Sequence, residues 1–234
     1  MTRIAALVHL VAALAFAAAP LATPGFDGFE PAQFPIRVED PPVQPAGWAF
    51  AIWGVIYLWL LAGAGFGLLA RADSADWAAM RWPLIGSLAL GAAWLGVAQA
   101  APVLATGLIW AMLALALWSL ARVGDRDRLW QEAPVALYAG WLTAASCVGS
   151  GILLAGYGLA SPQNAALIFL MLALAIAVVV ALILTRAPEY AAGVIWALGG
   201  VIADNLSPVN PTVLSLAAAG ILALAGTVWV RRPV

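Results

Sequence analysis

Residues 83–122 read PLIGSLALGAAWLGVAQAAPVLATGLIWAMLALALWSLAR, forty residues with no charge before Arg122. As one helix they would run about 60 Å, twice the ~30 Å hydrocarbon core of a bilayer. They are therefore two spans. The break falls at Ala101-Pro102, because the proline ring disfavours helix at the residue before it. The remaining apolar runs, Ile4–Ala22, Gly47–Ala70, Val135–Gly158, Asn164–Thr185, Tyr190–Ala203 and Thr212–Val230, join Pro83–Ala101 and Val103–Arg122 to give eight predicted spans. The seventh is short.

Composition agrees with the pattern. Of 234 residues, 65% are hydrophobic and 9% charged, and the mean hydropathy is +1.01. A soluble domain carries about 25% charged residues, so lipid is the solvent that suits this chain. The expected fold class is an all-α integral membrane protein whose first partner is the bilayer.

The ten arginines orient it. With eight spans, Arg3, Arg71, Arg81, Arg122, Arg126, Arg128, Arg186, Arg231 and Arg232 share one side, and only Arg37 lies on the other, among Asp27, Glu30, Glu39 and Asp40. That is the positive-inside pattern, with both termini cytoplasmic. Short loops and an arginine-only set of cations suit a bacterial inner membrane. The first run also resembles a signal peptide, with Ala17-Ala18-Ala19, but its long apolar stretch and Pro20 favour a retained span.

A net charge of −1, no lysine and no basic tract give no footprint for nucleic acid. One cysteine, Cys147, and one histidine, His9, far apart, make neither a disulfide framework nor a metal site. His9 reads as a hydrogen-bonded structural residue. No carboxylate pair, phosphate loop or nucleophile elbow appears, so no catalytic residues, no metal and no cofactor are expected, and the chain does not read as an enzyme.

Twelve tryptophans remain to be explained. Trp77, Trp82, Trp130 and Trp229 lie at span ends and read as interfacial anchors. Phe50, Trp53 and Tyr57 share one helix face with Trp48 just above. Trp94 lies mid-span in the third run; Tyr138 and Trp141 share a face in the fifth, which Ala145 and Gly149 continue as small residues. Aromatics opposite small residues either leave room for a flat apolar ligand or simply pack together. The proline-rich stretch 23–46 is a stiff outside loop, either a lid or an exposed linker. Gly63 and Gly67, four apart, serve internal packing or a homodimer.

Several of these residues carry a family resemblance. Pro45-Ala46-Gly47-Trp48-Ala49-Phe50-Ala51-Ile52-Trp53-Gly54-Val55-Ile56-Tyr57 resembles the run into the second span of the TspO/MBR proteins, the tryptophan-rich sensory relatives of the mitochondrial translocator protein. Leu90-Gly91-Ala92-Ala93-Trp94 is similar to that family's Leu-Asn-x-x-Trp, and Tyr138-Ala139-Gly140-Trp141 with Ala145 to its Tyr-x-x-Trp-x-x-x-Ala. The resemblance covers residues 1–158 and implies a five-helix TspO-like bundle, with residues 159–234 as a three-helix extension. It implies a membrane sensor or translocator that binds a flat lipophilic ligand, a tetrapyrrole such as a porphyrin or a sterol-like molecule. The implied binding residues are Trp48, Phe50, Trp53, Tyr57, Trp94, Tyr138, Trp141 and Ala145.

This sequence departs from the family pattern in three ways. Phe50 precedes Trp53 by one residue fewer than usual, which turns it about 100° on an α-helix. Gly91 and Gly149 stand where the family has asparagines, so a less polar ligand is expected. The three extra spans keep a second reading open, a small-solute transporter.

Overall fold

A computed structural model of the chain describes residues 2–23, 26, 28–184 and 187–231. Asp27, Arg186 and Arg232, used above, lie outside them. The described chain forms eight α-helices: α1 (Thr2–Ala22), α2 (Ile52–Leu69), α3 (Ala75–Ala100), α4 (Pro102–Leu120), α5 (Glu132–Gly156), α6 (Pro162–Val179), α7 (Pro188–Asp204) and α8 (Pro211–Val230). A 3-10 helix, Gly47–Ala51, leads into α2, and a π-helical turn, Val180–Leu184, closes α6. Proline starts α4, α6, α7 and α8. At a first helical position its missing N–H has no partner to lose, and its ring pre-sets the backbone. Ala101 is non-helical, at φ −147° and ψ 80°, so the long apolar run divides at Ala101-Pro102.

Seven of the helices are long and apolar enough to cross a membrane. The exception is α7, whose 17 residues span about 25 Å. Its neighbours show that it nevertheless bridges the two faces. At the starts of α6 and α8, Gln163 and Asn210 exchange side-chain hydrogen bonds. At their ends, Arg231 donates to the carbonyl of Ala181. The two helices are therefore parallel, and α7 runs back between their opposite ends.

The same reasoning sorts the loops onto two faces. On one, Arg3 pairs with Asp73, Arg71 with Asp127, Arg126 with Asp76 and Arg128 with Glu189. These pairs tie together the N-terminus and the α2–α3, α4–α5 and α6–α7 connections. The hydrogen bond from Arg71 holds the Asp127 carboxyl below the usual carboxylate range. Arg81 is buried, and its guanidinium donates to the carbonyls of Gly67, Arg71 and Ala72, satisfying the end of α2 with a cation. Arg37 lies on the other face, in the proline-rich loop.

The centre of the bundle is α5, buried along most of its length. Glycines allow the close approach to α7: a Cβ on Gly193 would stand 2.8 Å from the Leu137 carbonyl oxygen, and one on Gly140 would strike that of Tyr190. Close backbone approach through small residues is how helices gain packing energy in lipid. Gly63 and Gly67 work in the same way inside the chain, against the Trp130 backbone and the Trp77 ring. Trp77 thus corrects the anchor expectation: it is fully buried and donates to Asp127, while Trp82, Trp130 and Trp229 are exposed. His9 is buried on α1, and neither ring nitrogen has a hydrogen-bond partner among the described residues. The expectation of a hydrogen-bonded histidine is therefore not met.

Candidate functional site

The proline-rich loop is fastened across one mouth of the bundle. Gln33 donates to the carbonyls of Ala98 and Gln99 at the end of α3. The backbone N–H of Ile36 donates to Gly156 O at the end of α5. Asn205, after α7, donates to the Pro42 carbonyl, and the Ala46 N–H donates to Gly200 O within α7. Phe34 lies over Gly156, where a Cβ would come within 2.6 Å of its ring. The described part of the proline-rich stretch, residues 28–46, is thus packed onto the bundle rather than a free linker.

Beneath it is a cavity of about 50 Å³, walled by Phe26, Phe29, Gln44 and Pro45 of the loop, Phe50 of the 3-10 turn, Trp94 of α3, Thr106 and Ile109 of α4, Trp141, Ala145 and Gly149 of α5, and Ala197 of α7. Among the described residues, no wall residue is ionisable. Two polar groups on the wall are buried without a hydrogen-bond partner among the described residues: the indole N–H of Trp141, a residue 2% exposed, and the hydroxyl of Thr106, 7% exposed. The Trp94 indole is satisfied by the Ala105 carbonyl at 2.8 Å, which fixes its ring across the α3–α4 hairpin. The edge of Phe26 meets that ring at 5.1 Å.

Of the eight residues expected at a binding site, Phe50, Trp94, Trp141 and Ala145 line this cavity. Phe50 reaches it despite the shortened spacing because the backbone before Ile52 is 3-10. Three residues per turn bring positions i and i+3 nearer to eclipse, so Phe50 and Trp53 both meet Trp141, at 5.9 and 6.0 Å between ring centroids.

The other four are elsewhere. Trp48 is 50% exposed and packs edge-on against Trp196, whose indole donates to Ala49 O and pins the 3-10 turn to α7. Trp53, Tyr57 and Tyr138 surround Phe16 of α1, at 5.8, 5.0 and 5.6 Å. Phe16 enters because Gly91 has no side chain; a Cβ there would stand 2.5 Å from its ring. The Tyr138 hydroxyl is paired with Ser87, which in turn donates to Met112 O. These aromatics form filled core.

Sequence reasoning missed Phe16, Phe26, Phe29 and Thr106. The signal for Phe16 was Gly91 itself, since a lost side chain invites a neighbour. Phe26 and Phe29 were visible only as large apolar residues in a loop. Thr106 was an unremarked hydroxyl in an apolar run.

The family model described as TSPO-like protein matches residues 4–230. No curated protein and no solved structure matches the chain.

Proposed function

The chain belongs to the TSPO-like protein family, and from that premise we propose that it is a membrane sensor or translocator that binds a flat lipophilic ligand, a tetrapyrrole or a sterol-like molecule, beneath the proline-rich lid. The observation that carries the reading is an apolar cavity, uncharged among the described residues and bounded by aromatic rings from four separate elements, Phe29, Phe50, Trp94 and Trp141. Such rings stack on or edge against flat apolar molecules. Pockets for ligands of this size hold about 300–1,000 Å³. The cavity of about 50 Å³ is therefore the seed of a site that opens as the lid lifts. The bonds at Gln33, Ile36, Asn205 and Ala46 are the latches that would part.

The arginine-bearing face is read as cytoplasmic, with both termini on it, in a bacterial inner membrane. Residues 159–234 are read as an extension of a five-helix bundle that braces the site, since α7 supplies Ala197 and the Gly200 latch.

The test is equilibrium binding of protoporphyrin and of the fluorescent sterol dehydroergosterol to the full chain in lipid nanodiscs, with Ala145→Phe as the probe. A phenyl group fills the cavity, so saturable binding is expected to disappear while the protein remains folded. Unchanged binding of both ligands by Ala145→Phe contradicts this site.

A further inference from the structure

We propose that Thr106 sets the specificity of the cavity, its hydroxyl being the hydrogen-bonding handle that selects neutral lipophiles bearing one alcohol or carbonyl oxygen. The inference rests on the site proposed above and names the chemistry of its occupant.

The other buried helical hydroxyls among the described residues are all hydrogen-bonded, Ser87 to Met112 O, Ser119 to Met80 O and Ser146 to Ile109 O on neighbouring helices. Thr143 donates to Ala139 O at 2.9 Å and Ser150 to Ser146 O at 2.8 Å, the ordinary way a hydroxyl is satisfied in lipid. Thr106 does not; its oxygen is buried, unpartnered and on the cavity wall. Across from it is Gly149, where a Cβ would stand 3.5 Å from that oxygen and 3.4 Å from Phe29. The bare glycine offers the hydroxyl no hydrogen-bonding side chain.

The Trp141 N–H is the second unpartnered group on the same wall. An indole only donates, whereas a hydroxyl donates or accepts. An alcohol or a ketone oxygen pairs with the hydroxyl, which donates to it or accepts from it, and the same kind of oxygen accepts from an indole N–H. A hydrocarbon leaves both unpaired, which a site built to bond an oxygen penalises. A carboxylate accepts from such donors but brings its charge to a wall with no cation among the described residues, at a large desolvation penalty. The neutral oxygen therefore wins.

The test uses the full chain in nanodiscs and three probes with the same flat ring: 1-pyrenemethanol, 1-methylpyrene and 1-pyrenecarboxylate. Saturable tryptophan-to-pyrene energy transfer is read against protein-free discs, which corrects for partitioning. The alcohol is expected to bind on the order of tenfold tighter than the other two. Thr106→Val is expected to weaken the alcohol alone, roughly three- to tenfold, and Thr106→Ser to restore it. If the three probes bind alike, or Thr106→Val keeps the alcohol preference, the inference is overturned while the cavity stands as a binding site. If no probe gives saturable transfer, the cavity reading fails with it. Should Thr106→Val not fold, the ranking of the three probes on the unmodified chain decides alone.

Discussion

Two aromatic regions meet at Trp141, and they differ in what is left over. In the lower one, Trp53, Tyr57 and Tyr138 close around Phe16, and the Tyr138 hydroxyl is paired with Ser87. In the upper one, Phe50, Trp94 and Trp141 face the lid across open space, and the Thr106 hydroxyl and Trp141 N–H are unpaired. Each region contains a glycine where the resembled family has asparagine. Gly91 is filled by Phe16, whereas Gly149 is only approached, by Phe29. Aromatic richness alone does not mark a pocket in a membrane bundle. Unfilled space beside unsatisfied polar atoms does, because a core that evolves only for packing pairs its polar groups.

The largest effect expected from this contrast is on stability. Phe16→Ala empties the filled region and is expected to cost about 3–5 kcal/mol in denaturant titration of the detergent-solubilised chain, without loss of dehydroergosterol affinity. A stable Phe16→Ala protein that no longer binds would make the two regions one site.

Paired glycine substitutions come next. Gly91→Ala drives a Cβ to 2.5 Å from the Phe16 ring and is expected to cost about 1–3 kcal/mol. Gly149→Ala meets its neighbours at 3.4 and 3.5 Å, an ordinary contact, and is expected to cost under about 0.5 kcal/mol while weakening ligand binding. Equal stability losses for the two would erase the distinction.

Removing hydroxyls gives smaller effects of opposite character. Tyr138→Phe breaks a made hydrogen bond and is expected to cost about 1 kcal/mol. Thr106→Val removes an unmade one and is expected to be neutral or stabilising in the ligand-free protein. Thermal melting of the two variants side by side checks this.

The charged face supplies the control, with the smallest effect. Its hydrogen bond from Arg71 lowers the Asp127 pKa below 3.8 in the folded chain. The stability this contributes is complete above pH 3.8 and is lost as pH falls through the lowered value. Asp127→Asn is expected to remove that acid dependence in pH-dependent melting and to leave ligand affinity unchanged, because Asp127 lies on the face away from the cavity.

The fold was legible because its signals are long and redundant. The charge-free run of residues 83–122 exceeds one membrane thickness, and Pro102 marks its division. Arginines far apart in sequence sort to a common face. Burial of Trp77 was not legible, since a tryptophan near a span end looks alike whether it faces headgroups or, as here, lies on Gly67 and bonds Asp127. The candidate site was half legible. Helical spacing identifies the face that Trp53 and Tyr57 share and the one that Tyr138 shares with Trp141, but not the side chain opposite, and Phe16 comes from a helix more than thirty residues before Trp53. Trp48 looked like part of that face until the 3-10 turn set it against Trp196. Thr106 had no signal in sequence at all; only the unmade hydrogen bond singles it out.

Dehydroergosterol binding to nanodisc-embedded Trp141→Phe and Trp53→Phe, read as apparent Kd rather than signal amplitude, compares the two regions within one experiment. Trp141→Phe is expected to weaken binding roughly tenfold and Trp53→Phe by less than about twofold. A dominant loss at Trp53, with Trp141→Phe binding like the unmodified chain, would place the ligand in the aromatic cluster around Phe16 and contradict the cavity beneath the lid.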